Sequence, residues 1–135
     1  MVNLIKFGVK LKAVLRCGDE FLIVNKWYND NIENHYQWEF LDMDLMPEES
    51  AEEQCLNYIQ ECTGIHAEIT SIPYTWSYKL GDNNCLGIVF LCDTTDQMVF
   101  MGEDIVDYKW VTAKNLSKYI TKKMVLEDFK KAGII

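Results

Sequence analysis

The chain has 135 residues, 49% of them hydrophobic, which is enough to bury the core of one domain without disulfides or a structural metal. Its net charge of −8 disfavours general binding to DNA or RNA, because an acidic surface repels nucleic-acid phosphates. The apolar runs are too short to span a bilayer, so we expect no membrane segment.

The five cysteines predict a reduced, cytoplasmic protein. Their number is odd, none form a Cys-x-x-Cys pair, and the N-terminus carries no pattern of a secretory signal. Cys85 and Cys92 flank an apolar run, so we expect them in the core and not on a metal.

The first part of the chain predicts a β-hairpin. Residues 7–16 alternate between two sets of side chains, which are Val9, Leu11, Ala13 and Leu15 on one face and Lys10, Lys12, Val14 and Arg16 on the other. This period of two indicates a strand. Residues 17–20 supply a turn and residues 21–24 a returning strand. A polar loop at 27–35 and a short aromatic strand at 36–40 follow.

The clearest local signals predict a helix over residues 51–63. Ser50 is a suitable N-cap, and Glu53 three residues later completes a capping box. Gly64 can adopt the left-handed conformation that ends a helix. An apolar face at helical spacing contains Cys55, Ile59 and Cys62.

The second half of the chain predicts more strands and two short helices. The expected elements are a strand pair or one bent strand over 67–80, interrupted at Pro73, a turn at 81–84, strands at 86–91 and 108–111, and helices at 113–119 and 124–132. One long helix among many strands predicts an α+β domain with a mixed β-sheet and helices on its faces.

An acidic stretch overlaps the predicted helix. Residues 42–61 contain no Lys or Arg and hold seven carboxylates, which are Asp42, Asp44, Glu48, Glu49, Glu52, Glu53 and Glu61. Such a patch repels itself unless a cation or water screens it, so the stretch favours a cation site.

The spacing of this segment resembles the Nudix box, the loop-helix-loop that holds magnesium for pyrophosphate hydrolysis. Gly64 and Ile65 match its closing Gly and aliphatic residue, and Glu49 stands at its first Glu. The aromatic segment at 38–40 and the acidic loop and Trp-Val strand at 103–115 are also similar to the family. The resemblance implies a single Nudix-like domain over residues 1–135, folded as an α/β/α sandwich.

Several positions of the box depart from the family pattern. Met43 stands at the opening Gly, Asn57 at the Arg, and Tyr58 and Cys62 at two of the three helical Glu positions. Positions 58, 61 and 62 share one helix face, where the family presents three carboxylates to Mg²⁺. Only Glu61 remains, and a thiol is a poor ligand for magnesium.

Two functional interpretations stay open. In the first, the chain has an impaired magnesium site and binds a nucleotide or nucleoside-diphosphate derivative with little or no hydrolysis. Tyr58 and Cys62 have then joined the core, and Glu61 is an ordinary solvated residue. By similarity to the family, aromatic residues of the loop at 27–36 could stack on a base.

In the second interpretation, the chain is an active Mg²⁺-dependent pyrophosphohydrolase of nucleoside diphosphates linked to another moiety. A displaced carboxylate set then holds the metal, formed by Glu49, Glu53, Glu61 and Asp44. Glu61 and Glu49 would be catalytic, with Glu103 as general base by resemblance to some relatives. The family resemblance also implies a possible homodimer.

Overall fold

A mixed sheet of seven strands forms the centre of the part of the chain that the structure describes. The computed structural model describes residues 7–27 and 37–135. The elements in chain order are β1 (Phe7–Cys17), β2 (Glu20–Lys26), β3 (Leu41–Asp44), α1 (Ala51–Thr63), β4 (Glu68–Ser71), β5 (Thr75–Leu80), β6 (Asn83–Asp93), β7 (Ile105–Thr112), a 3₁₀ helix (Ala113–Lys118) and α2 (Lys123–Lys131). Within these ranges no helix is long and apolar enough to cross a membrane.

Strand β1 is the central strand of the sheet. It pairs in parallel with β6 from Phe7–Asn84 to Arg16–Asp93. On its other side it pairs antiparallel with β2 and then with β3. An ion pair lies at the end of the parallel β1–β6 register, where Arg16 Nε donates to Asp93 Oδ1 at 2.8 Å. Both long edges of β1 are thus satisfied by neighbouring backbone, which fixes its register.

The sheet separates two hydrophobic layers, which are named here the α1 layer and the α2 layer after the helix that covers each one. Leu11, Ala13 and Leu15 of β1 pack towards α1, with Cys55, Ile59 and Cys62 from that helix. Val14 packs on the opposite side with Leu116 and with Phe129 of α2. This arrangement confirms the predicted α+β sandwich with α1 on one face and the C-terminal helices on the other.

The predicted hairpin and box helix are confirmed, and α1 has the predicted bounds. The predicted aromatic strand at 36–40 is wrong within the described residues 37–40. Only Glu39 pairs there, exchanging backbone hydrogen bonds of 2.8 and 2.9 Å with Val24. The pairing is a single bridge, and Trp38 and Phe40 on either side of Glu39 pack into the α2 layer.

Tertiary pairing extends several of the predicted strands. Residues 67–80 form two strands on either side of Pro73, and both pair antiparallel with β6. Strand β6 starts at Asn83, inside the predicted turn, because its first residues pair with the end of β5. The first predicted C-terminal helix is a 3₁₀ helix.

We expect Phe129→Ala to lower the free energy of unfolding by about 3–5 kcal/mol, because it would leave a cavity in the α2 layer. Phe129 is fully buried, and its ring centroid lies 4.9 Å from that of Phe40. Chemical denaturation measures the change. Met124→Ala is the control, since Met124 on the same helix is 73% exposed and its truncation should cost less than about 0.5 kcal/mol. Equal losses for the two variants would contradict this account of the layer.

Candidate functional site

Helix α1 is tied to the loop that precedes it by side-chain hydrogen bonds. Ser50 Oγ accepts from the backbone N–H of Glu53 at 3.4 Å, as the capping motif predicts. The Gln54 amide donates to the Asp44 carbonyl at 2.6 Å and accepts from the Met46 N–H at 2.9 Å. The loop therefore has a defined position relative to the helix, set partly by Gln54, which the sequence analysis did not single out.

Positions 58, 61 and 62 of α1 correspond to the three helical carboxylates of the Nudix box. Two of these box positions carry neutral side chains that face the core. Tyr58 is half-buried and packs against the α1 layer, and Cys62 is buried. Burial raises the pKa of the Tyr58 phenol far above its usual value, and the neighbouring Cys62 adds to the rise. Burial also raises the pKa of Cys62, although a hydrogen bond from Tyr58 and the charge of Lys26 oppose it. At neutral pH both groups are protonated.

A buried ammonium group lies beside Tyr58. Lys26, at the end of β2, has a side chain that is 10% exposed. Its Nζ donates to Asp42 Oδ1 at 2.5 Å and to the Asp42 carbonyl at 3.1 Å. The same atom is 3.5 Å from Glu39 Oε1 and 5.8 Å from the centroid of the Tyr58 ring. Sequence reasoning missed this group because Lys26 and Asp42 are distant along the chain.

The carboxylates predicted to hold a metal lie on the surface. Asp44, Glu49, Glu53 and Glu61 are all exposed. Across residues 7–27 and 37–135, no group of three or more His, Cys, Asp or Glu side chains is arranged to hold a metal ion. In this geometry the four do not meet as a set of three ligands, and their role stays a prediction.

The loop that carries Glu103 contacts the C-terminal end of α1. The Gly102 N–H donates to the Cys62 carbonyl at 2.9 Å, and the Phe100 N–H donates to the Thr63 carbonyl at 2.9 Å. A Cβ at Gly102 would lie 2.7 Å from the Glu61 carbonyl oxygen, so only glycine permits this approach. The backbone of Gly102, which precedes Glu103, therefore lies close to the end of α1, while the Glu103 side chain is exposed.

A cleft opens between the sheet and α2, on the opposite face from α1. Its larger part is a cavity of about 430 Å³, and a smaller cavity of about 90 Å³ adjoins it, with Lys12, Asp42, Lys122 and Val125 lining both. Three aromatic side chains and four lysines line the larger cavity, namely Tyr74, Trp76, Tyr78, Lys10, Lys12, Lys122 and Lys123. Two aspartates, Asp42 and Asp128, accompany them. The two cavities together form the cleft.

Trp76 lines the cleft on the side of the sheet. It lies opposite Gly87 of β6, where a Cβ would come within 2.3 Å of the indole ring. The missing side chain lets the indole lie on the strand. Tyr78 stacks beside Trp76 with 6.0 Å between ring centroids, and Lys12 Nζ lies 4.9 Å from the Trp76 centroid. Burial lowers the pKa of Lys12, and the charge of Asp42 partly offsets it.

Sequence reasoning did not assign the cleft, although one signal pointed to it. Lys10 and Lys12 occupy the β1 face that also carries the buried Val14, so a covered face of the sheet had to accommodate two charges. The loop aromatics proposed to stack on a base fall at 28–36, outside the described residues, except Trp27. Trp27 is 63% exposed.

Comparison with solved structures identifies the fold. The MutT protein from Methanosarcina mazei Go1 aligns with a TM-score of 0.78 at 19% identity, over 98% of this chain and 96% of that one. A NUDIX hydrolase from Nitrosomonas europaea aligns with a TM-score of 0.71 at 17% identity, over 93% and 87%. An Ap4A hydrolase from C. elegans aligns with a TM-score of 0.70 at 15% identity, over 95% of each chain.

No protein-family model matches the sequence, and no curated protein matches it. The chain has the Nudix fold, and the resemblance based on the box residues is confirmed at the level of the fold.

We expect Cys62 to react with iodoacetamide at neutral pH at least about tenfold more slowly than Cys17, because burial keeps its thiol protonated and covered. Cys17 is only partly buried and serves as the internal control. Mass spectrometry of peptides from a time course of alkylation gives both rates. Equal labelling of the two thiols in the folded protein would contradict the placement of Cys62 in the core.

Proposed function

We propose that this chain is a Nudix-fold protein with an impaired magnesium site that binds a nucleotide or nucleoside-diphosphate derivative in the cleft, with little or no hydrolysis. The observation that carries the proposal is the lining of the cleft. Four lysines and three aromatic side chains surround one cavity in a chain whose net charge is −8. A basic, aromatic concavity on an acidic protein favours an anionic ligand with a flat ring.

The cleft residues supply two kinds of contact for such a ligand. Trp76 and Tyr78 are stacked with their rings 21° apart, and flat rings of this kind favour a base. The ammonium groups of Lys12 and Lys122 line both cavities and can donate to phosphate oxygens. Lys26 and Lys10 both pair with the Asp42 carboxylate. Its negative charge therefore repels a bound phosphate less.

The side chains at the box positions do not fit magnesium. Mg²⁺ takes hard oxygen ligands in near-octahedral geometry, usually including carboxylates. Tyr58 and Cys62 offer a protonated phenol and a protonated thiol, because burial raises the pKa of each. Glu61 is the remaining carboxylate of the three positions. This donor set supports weak metal binding and, with it, little hydrolysis.

One of the compared structures supports this class of ligand. It is an Ap4A hydrolase, so a protein with this fold acts on a nucleotide. We extend the ligand class, and not that reaction, to the present chain. We also propose a reduced, cytoplasmic setting, which is supported by five free thiols, four of them buried.

The alternative function is an active pyrophosphohydrolase with a displaced carboxylate set. The observation that favours it is the contact between Gly102 and Cys62, which brings the loop of Glu103 to the end of α1. In that case Glu49, Glu53, Glu61 and Asp44 would converge on a metal when substrate binds.

We expect ADP-ribose or ADP to bind in the presence of a chelator, with affinity reduced about tenfold or more by Trp76→Ala, because stacking on an aromatic ring contributes roughly 1–3 kcal/mol per base. Titration calorimetry measures the affinities. Trp27→Ala is the matched control, since Trp27 is exposed and does not line the cleft. A loss of binding in Trp27→Ala but not in Trp76→Ala would move the site to the loop at 27–36.

We expect no Mg²⁺-dependent phosphate release or cleavage of ADP-ribose above background, in the unaltered protein or in Glu61→Gln. The reason is that the box positions offer a single carboxylate beside a protonated phenol and a protonated thiol, which are poor ligands for Mg²⁺. Chromatographic product analysis makes the measurement. Glu52→Gln is the control on the same helix, also at an exposed position. Turnover that Glu61→Gln abolishes and Glu52→Gln preserves would establish the alternative.

A further inference from the structure

Lys26 is a charged side chain enclosed in the sheet close to the box helix. The residue is 8% exposed. Removing an ammonium group from water is costly, so a buried lysine needs close anionic or polar partners. The position of Lys26 is therefore a defined feature of the fold.

The ammonium of Lys26 is surrounded by the kinds of oxygen atom that a hard metal ion prefers. Asp42 supplies a carboxylate oxygen at 2.5 Å and its carbonyl oxygen at 3.1 Å, and Glu39 supplies a carboxylate oxygen at 3.5 Å. Carboxylates and backbone carbonyls are typical ligands of divalent cations. Here a covalently attached cation occupies the space between them.

The same ammonium faces the altered box. It lies 5.8 Å from the ring centroid of Tyr58, the residue at the first of the three helical carboxylate positions. An aromatic face attracts a cation without needing a second negative charge. The phenol at position 58 and the lysine at position 26 are thus chemically compatible, whereas a second cation between Asp42 and Tyr58 would be repelled.

We propose that the Lys26 ammonium takes the place of a divalent metal beside the box helix, as a built-in cation that holds Asp42 and Glu39. This inference rests on the proposed impairment of the magnesium site and gives it a cause. The α1 positions that lack carboxylates then face an internal cation in place of a bound metal. A consequence is that metal removal by a chelator leaves the local charge balance unchanged.

The test is the affinity for Mn²⁺ of Lys26→Met, measured by electron paramagnetic resonance of free Mn²⁺. Methionine keeps an unbranched apolar side chain and removes the charge. We expect Mn²⁺ to bind about tenfold or more tightly than to the unaltered protein, because a repelling charge in contact with Asp42 is gone. Lys10→Met is the matched control. It removes the same charge from the same carboxylate, but Lys10 Nζ is 3.9 Å from Asp42 and its side chain is 34% exposed. Equal affinities for the two variants would overturn the proposal.

A second measurement keeps the proposal testable if Lys26→Met does not fold. With Lys26 retained, Asp42→Asn should leave any weak Mn²⁺ binding unchanged, because the Asp42 carboxylate already holds the Lys26 ammonium. Saturable binding of Mn²⁺ that Asp42→Asn abolishes would mean that the carboxylate serves a metal, which overturns the proposal. Nucleotide binding in chelator tests the proposed function independently, so failure of one does not imply failure of the other.

Discussion

The alternation of side chains along β1 is the constraint on which both halves of the molecule depend. Because β1 is paired on both edges, its register is fixed, and each of its residues belongs to one layer. Leu11, Ala13 and Leu15 anchor the layer that seats α1. Lys10 and Lys12 face the other way, into the cleft. A slip by one residue would bury the lysines under α1 and remove the cleft.

The two faces of the sheet carry different chemistry as a result. On the α1 face, the Tyr58 phenol and the Cys62 thiol pack against the core, and the Lys26 ammonium lies enclosed beside them. On the α2 face, Trp76 lies on the bare backbone of Gly87 and lysines surround it. Asp42 connects the faces, since it holds Lys26 and also lines the cleft. The charge balance at Asp42 therefore affects both the box helix and the proposed ligand site.

Local signals in the sequence were sufficient for the elements that local interactions determine. Ser50 and Gly64 predicted both ends of α1, because capping involves neighbours along the chain. The frame of the box predicted the fold. The predicted strand at 36–40 failed over its described residues 37–40 because strand pairing depends on a distant partner, and Val24 offers Glu39 one bridge only. The Lys26–Asp42 pair and the cleft join residues from distant segments, and no local pattern specifies such contacts. The metal set of Glu49, Glu53, Glu61 and Asp44 stays a prediction.

The most direct test of metal-independent ligand binding in the cleft is to map backbone amide shifts by nuclear magnetic resonance. ADP-ribose is added first in chelator, and excess Mg²⁺ is then added. Binding in the cleft without metal predicts shifts along β1, β5 and the start of α2 when the ligand is added. It predicts no further ligand-dependent shifts in α1 when Mg²⁺ follows. Shifts that appear only with Mg²⁺, and that centre on Glu49 and Glu61 with the loop of Glu103, would contradict it and assign the ligand to a working metal site.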